Sequence, residues 1–271
     1  MPAREPTAVS RFTDAQLEDW AAEPTDAGDV CREALALIRN ALAPLEGMYP
    51  GVELIVQGGY ANRTAVSAQS DVDVVARWPG VVVHGTGDED AAAEAYRSFR
   101  DDVYDTLRTQ VNQAIPLPRI ACCCKVGGMS IDVVPCLPYR SGDRDDIWFW
   151  PSDHYDRPTV SWPREISRRI ETRDREASGA FRPVVRALKG MRDDFWSGED
   201  RVKSFAVESL AYTAWPHVSD AQTLRERCLA VVIAPVDLRT LTDPTGRERI
   251  ADLPLFDAFE GFVDEALSRL V

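Results

Sequence analysis

The chain has 271 residues, 45% of them hydrophobic and 28% charged, which is enough apolar material for one large domain or two modest ones with real cores. A formal net charge of −13 repels nucleic acid at long range and leaves no broad phosphate-binding stripe, so no long duplex partner is expected. No apolar run reaches the roughly 18 residues of a membrane span, and residues 1–7 lack the apolar heart of a secretion signal, which together predict a cytoplasmic protein.

The pattern predicts a short helix over residues 14–22 and a longer one over 29–45, where Val30, Ala34, Ile38 and Leu42 recur at helical steps before Pro44 and Gly47. A strand over 52–57 stops at Gly58-Gly59, and the polar stretch 60–70 leads to a second strand over 71–77. Residues 88–111 read as a helix with Ala92, Tyr96, Phe99, Val103 and Leu107 on one stripe. Segments 119–126 and 129–137 then form a hairpin over Gly127-Gly128. Residues 138–162, punctuated by Pro151 and Pro158, read as a long irregular passage and as the domain boundary. Helices follow over 164–178, 181–196, 203–214, 220–232 and 257–270. The fold class is therefore α+β: a mixed sheet with helices in residues 1–162, including the N-terminal helix, and a helical domain in 163–271.

The chemistry concentrates in carboxylates. Of the pairs Asp71/Asp73, Asp88/Asp90 and Asp143/Asp145, only the first is set among apolar β-branched residues, Val72, Val74 and Val75; the other two lie in polar, Gly-containing stretches. Acids at i and i+2 of a strand point to one face. Asp132, within Ser130-Ile131-Asp132-Val133-Val134-Pro135, supplies a third from another strand. Three neighbouring carboxylates stay ionised together only beside a cation, so a divalent metal is the expected companion. The six cysteines, three of them consecutive at Cys122-Cys123-Cys124, have no metal-ligand spacing and read as small buried hydrophobes of a reduced protein.

These motifs carry a resemblance. Gln57-Gly58-Gly59-Tyr60-Ala61-Asn62-Arg63-Thr64-Ala65-Val66, then Ser70-Asp71-Val72-Asp73, then Ile131-Asp132-Val133-Val134-Pro135 resemble the polymerase-β-type nucleotidyltransferases. The narrower likeness is to the cGAS-like CD-NTases and their oligoadenylate-synthase relatives. Phe181 to Lys189 is similar to the family's helix with a phosphate-contacting lysine, Lys203-Ser204-Phe205-Ala206-Val207-Glu208 to its Lys-Ser-Tyr-x-x-Glu start, and Leu241 to Thr245 to its late Asp-Pro turn.

The resemblance implies a polymerase-β-like core followed by a helical domain, with the active site in the cleft between them. It implies two Mg²⁺ or Mn²⁺ ions on Asp71, Asp73 and Asp132, with Asp132 also the general base. Gln57, Gly58, Gly59, Lys189, Ser204 and Phe205 would bind the nucleotide: glycine backbone, Lys189 and Ser204 at the phosphates, Phe205 on the base. The bland alternatives are a snorkelling Lys189, Ser204 as an N-cap and Phe205 as core. The family usually has Gly-Ser where this chain has Gly58-Gly59, so one hydroxyl donor is missing, or is relocated to Thr64 or Ser67. The implied activity is template-independent joining of NTPs into a cyclic or short oligonucleotide messenger, in bacterial antiviral signalling, read by a separate effector protein. Transfer of a nucleotide to tRNA or to a protein, or an inactive nucleotide-binding scaffold, are the rival readings.

Overall fold

The computed structural model describes residues 11–66, 71–84, 89–111, 122–126, 129–140, 146–150, 158–196, 202–218, 220–247 and 253–271. The chain divides into two compact units, residues 24–169 and residues 1–23 with 170–271. The first helix, α1 (Asp14–Ala21), expected with the sheet-bearing half, falls instead in the helical unit, and the division lies at 169/170 rather than at 162/163.

In the unit of residues 24–169, α2 (Ala27–Leu42) precedes β1 (Glu53–Gln57), and a five-residue helix α3 (Gly58–Asn62) follows directly. The glycine pair thus opens a helical turn, where the sequence suggested only a strand end and a polar connector. Next come β2 (Val72–Arg77), α4 (Glu89–Gln110), β3 (Cys122–Val126) and β4 (Met129–Pro138). Residues 138–162, expected to be irregular, contain two short strands, β5 (Ile147–Phe149) and β6 (Thr159–Ser161). The turn at Gly127-Gly128 and the start of the expected strand at 119–121 lie outside the described residues.

The strands make one mixed sheet in the order β1-β2-β4-β5-β6, with β3 also on β4. β2 and β4 run parallel; the other pairs are antiparallel. Alternation divides the two faces. Val72, Val74, Ala76, Cys124, Ile131 and Val133 form one face and pack with Ala34 and Ile38 of α2 and Phe99, Val103 and Leu107 of α4 into a single buried core. That leaves residues 73, 132 and 123 on the opposite face.

The helix α5 (Pro163–Glu176) carries the chain from one unit into the next. In the helical unit α6 (Phe181–Phe195) is central: Phe181, Val184, Val185, Ala187, Leu188 and Met191 are all buried. α1 lies against it so closely that a Cβ on Gly190 would stand 2.3 Å from Cγ of Trp20, and the Nε of Arg186 donates to the carbonyl of Ala21 at 2.6 Å. α7 (Ser204–Ala214), α8 (Leu224–Ile233) and α9 (Leu253–Leu270) complete it. α8 starts later than its hydrophobic pattern suggested because Thr223 and Glu226 form a reciprocal capping box there. Among the described residues, no helix is long and apolar enough to cross a membrane.

Candidate active site

Register places the candidate acids. Gln57 on β1 pairs with Asp73 on β2, Asp73 with Asp132 on β4, and Asp132 with Cys123 on β3. Residues directly opposite one another share a face, so Gln57, Asp73, Asp132 and Cys123 form a row across four strands. Asp71, one residue before β2 and exposed, belongs to the same alternation. Asp73 and Asp132 are half-buried.

Gly58 explains itself through Asp73. Its φ of +69° is open to glycine at little cost, and a Cβ there would lie 2.0 Å from Oδ2 of Asp73. The carboxylate therefore packs directly on the glycine backbone. Gly59 is different: a Cβ would meet the backbone of Ala65 at 3.4 Å, an ordinary contact. The loop after α3 is closed by Arg63 in the left-handed region at φ 58°, and by two amides, Thr64 at 2.7 Å and Ala65 at 3.1 Å, donating to the carbonyl of Gly59. Thr64, a candidate replacement for the missing serine hydroxyl, is fully buried; Ser67 lies outside the described residues.

Cys123 is the neighbour that sequence reasoning missed. Of the cysteine triplet, Cys124 is buried in the core, while Cys123 is half-exposed with its Sγ 3.5 Å from Oγ of Ser130. Burial raises its thiol pKa above the ordinary value, the Ser130 contact opposes this, and the charges of Asp132 and Asp71 raise it further. The thiol thus sits within the field of two of the acids.

Among the described residues no three His, Cys, Asp or Glu side chains are gathered tightly enough to enclose an ion. The donor set is nevertheless hard: Asp73 and Asp132 side by side, Asp71 next along, all oxygen ligands suited to Mg²⁺ or Mn²⁺.

The remaining candidates belong to the helical unit. Lys189, 2% exposed, donates from Nζ to Oε1 of Glu208 at 2.6 Å, and Glu208 is 1% exposed. It is neither a solvated nor a snorkelling lysine. Ser204 is exposed and accepts from Nη1 of the buried Arg192 at 2.9 Å. The N-cap of α7 is Lys203 rather than Ser204, which is already the first helical residue. Phe205 is half-buried, and Asp243 is buried in its own turn, accepting from Oγ1 of Thr245 and the amide of Arg247.

No protein-family profile matches the chain. It is 26% identical over 226 residues to a cyclic dipurine nucleotide synthase of Elizabethkingia meningoseptica, covering 74% of this chain and 76% of that protein. Its fold matches the Rhodothermus marinus CdnE c-UMP-AMP synthase, solved with Apcpp and Upnpp, at a TM-score of 0.77 and 20% identity, covering 94% of this chain and 95% of that one. The Elizabethkingia meningoseptica CdnE cyclic dinucleotide synthase, solved with GTP and Apcpp, matches at a TM-score of 0.73 and 20% identity over 96% and 99% of the two chains. In its mixed sheet, its row of strand-borne acids, its sequence and its fold, the chain is similar to the CD-NTase nucleotidyltransferases.

Proposed function

We propose that this enzyme joins nucleotides from NTPs, without a template, into a cyclic or short oligonucleotide messenger. The observation that carries the reading is the register pair Asp73↔Asp132 on parallel strands, with the Asp73 carboxylate seated on Gly58. Names of the relatives, a cyclic dipurine nucleotide synthase and a c-UMP-AMP synthase, support a cyclic product.

In this reading main-chain N–H groups at Gly58-Gly59 meet the phosphate oxygens, and the missing side chain at Gly58 keeps that backbone open to them. Asp132 takes the proton of the acceptor ribose hydroxyl, whose oxygen bonds to the α-phosphorus as pyrophosphate leaves. Mg²⁺ or Mn²⁺, held by Asp73 and Asp132 with Asp71, would neutralise triphosphate charge and acidify that hydroxyl. Ser204 and Phe205 present a hydroxyl and a ring at an accessible helix start, suited to a phosphate and a base. The product would act through a separate effector protein, in bacterial antiviral signalling.

The test is incubation of the purified chain with the four labelled NTPs and Mg²⁺ or Mn²⁺. A phosphatase-resistant product that disappears with EDTA, and in Asp73→Asn and Asp132→Asn, is expected. Loss of the reading follows if no such product forms, or if Asp73→Asn matches the wild type.

A further inference from the structure

The loop that follows β1 is held by a contact from far along the chain. Asn62, the last residue of α3 and 2% exposed, accepts at Oδ1 from Oγ of Ser167 on α5, at 2.8 Å and 105 residues away. Local backbone bonds close the same segment, from Arg63 to Tyr60 and from Thr64 and Ala65 to Gly59. Ser167 lies beside Ile166 and near Ile170, both buried, so its own backbone is fixed by packing. A rigid helix therefore reaches across to the end of a five-residue one.

We infer that Ser167 is a positioning residue for nucleotide binding, acting through Asn62 to fix the backbone of residues 58–65. The inference rests on the proposed role of Gly58-Gly59 at the phosphates. The structural logic is leverage. α3 is too short to hold its own conformation, since a first helical turn is unfavourable until tertiary contacts support it. Gly58 adds conformational freedom at its start, and Asp73 leans on its backbone. A hydrogen bond at the far end of α3 removes that freedom without any group entering the site. Because a fixed loop serves the ground state and the transition state alike, its loss raises KM and spares kcat.

Ser167→Ala is the variant to make, with Ser167→Thr as the conservative partner. Alanine is the better helix former, so α5 itself is not weakened by the change. For Ser167→Ala the expected result is a rise of about five-fold in the KM for NTP, the scale of one neutral hydrogen bond, with kcat within about two-fold. Ser167→Thr keeps a hydroxyl and restores the wild-type KM. Amide hydrogen exchange across residues 58–65 should accelerate about five-fold in Ser167→Ala and not in Ser167→Thr.

Unchanged exchange in that segment overturns the inference, whatever the activity. So does faster exchange with an unchanged KM, which would make the bond structural only. If the wild type yields no product, the proposed function fails, and NTP affinity measured by calorimetry takes the place of KM beside the exchange data.

Discussion

Adjacent glycines with opposite fates give the sharpest test of the site's geometry. In Gly58→Ala the new methyl would stand 2.0 Å from Oδ2 and 2.9 Å from Cγ of Asp73. Carbon and oxygen approach no closer than about 3.3 Å without strain, so the carboxylate must retreat by more than about 1 Å. The strand cannot follow, because Asp73 is laddered to Gln57 on one side and to Asp132 on the other. Only its side chain can turn away. A displacement of that size at a reacting centre costs about 100-fold in rate. The positive φ of +69° adds about 1–2 kcal/mol of backbone strain for alanine, a few degrees in Tm.

Gly59→Ala is the control. Its Cβ would touch Ala65 at 3.4 Å, so it should fold and retain activity within about three-fold. The assay is steady-state product formation from NTPs, alongside thermal melts of both variants. Should Gly58→Ala keep wild-type turnover, or Gly59→Ala lose as much as Gly58→Ala, the seating of Asp73 on the glycine is not what organises the site.

Gly59→Ser restores the hydroxyl usual in the family and should lower the KM for NTP by up to about ten-fold, read by substrate titration. Lys189→Met removes the buried ammonium that pairs with Glu208 and should cost about 3–5 kcal/mol in urea melts, whereas Lys189→Met combined with Glu208→Leu recovers most of it. Tyr49 donates to Asp102, and burial, reinforced by that hydrogen bond and by the charge of Asp102, pushes its pKa up to about 12. Because the folded state holds the phenol proton more tightly than the unfolded chain, this contribution is complete below about pH 10 and is lost as pH rises towards 12. Tyr49→Phe should flatten that alkaline limb of the stability curve.

Much of the sheet-bearing unit was legible from sequence because one face of β2 is apolar at every second residue. Val72, Val74 and Ala76 announce a buried face, and the acids between them had to lie on the other. β5 and β6 were illegible for the converse reason. At three residues each they are too short to show a period, and they take their place from pairing with β4 and with one another. The placement of α1 could not be read either. Its own sequence says only that it is a capped helix; what fixes it is a glycine about 170 residues later, which leaves room for Trp20.

The two polar surprises share a cause. Spacing along α6 gives the position of Lys189 but not its surroundings, and a lysine beside a phosphate reads the same as one beside a carboxylate. Burial of both Lys189 and Glu208 settles what it touches here, because a lone charge at 2% exposure would be untenable. Cys123 was legible in half: three consecutive strand residues cannot all be buried on one face, so the triplet had to turn at least one thiol outward. Which one depends on phase. That phase comes from β4, where Asp132 faces Cys123 and Ile131 faces Cys124, so the residue that places the thiol beside the acids is itself one of the acids.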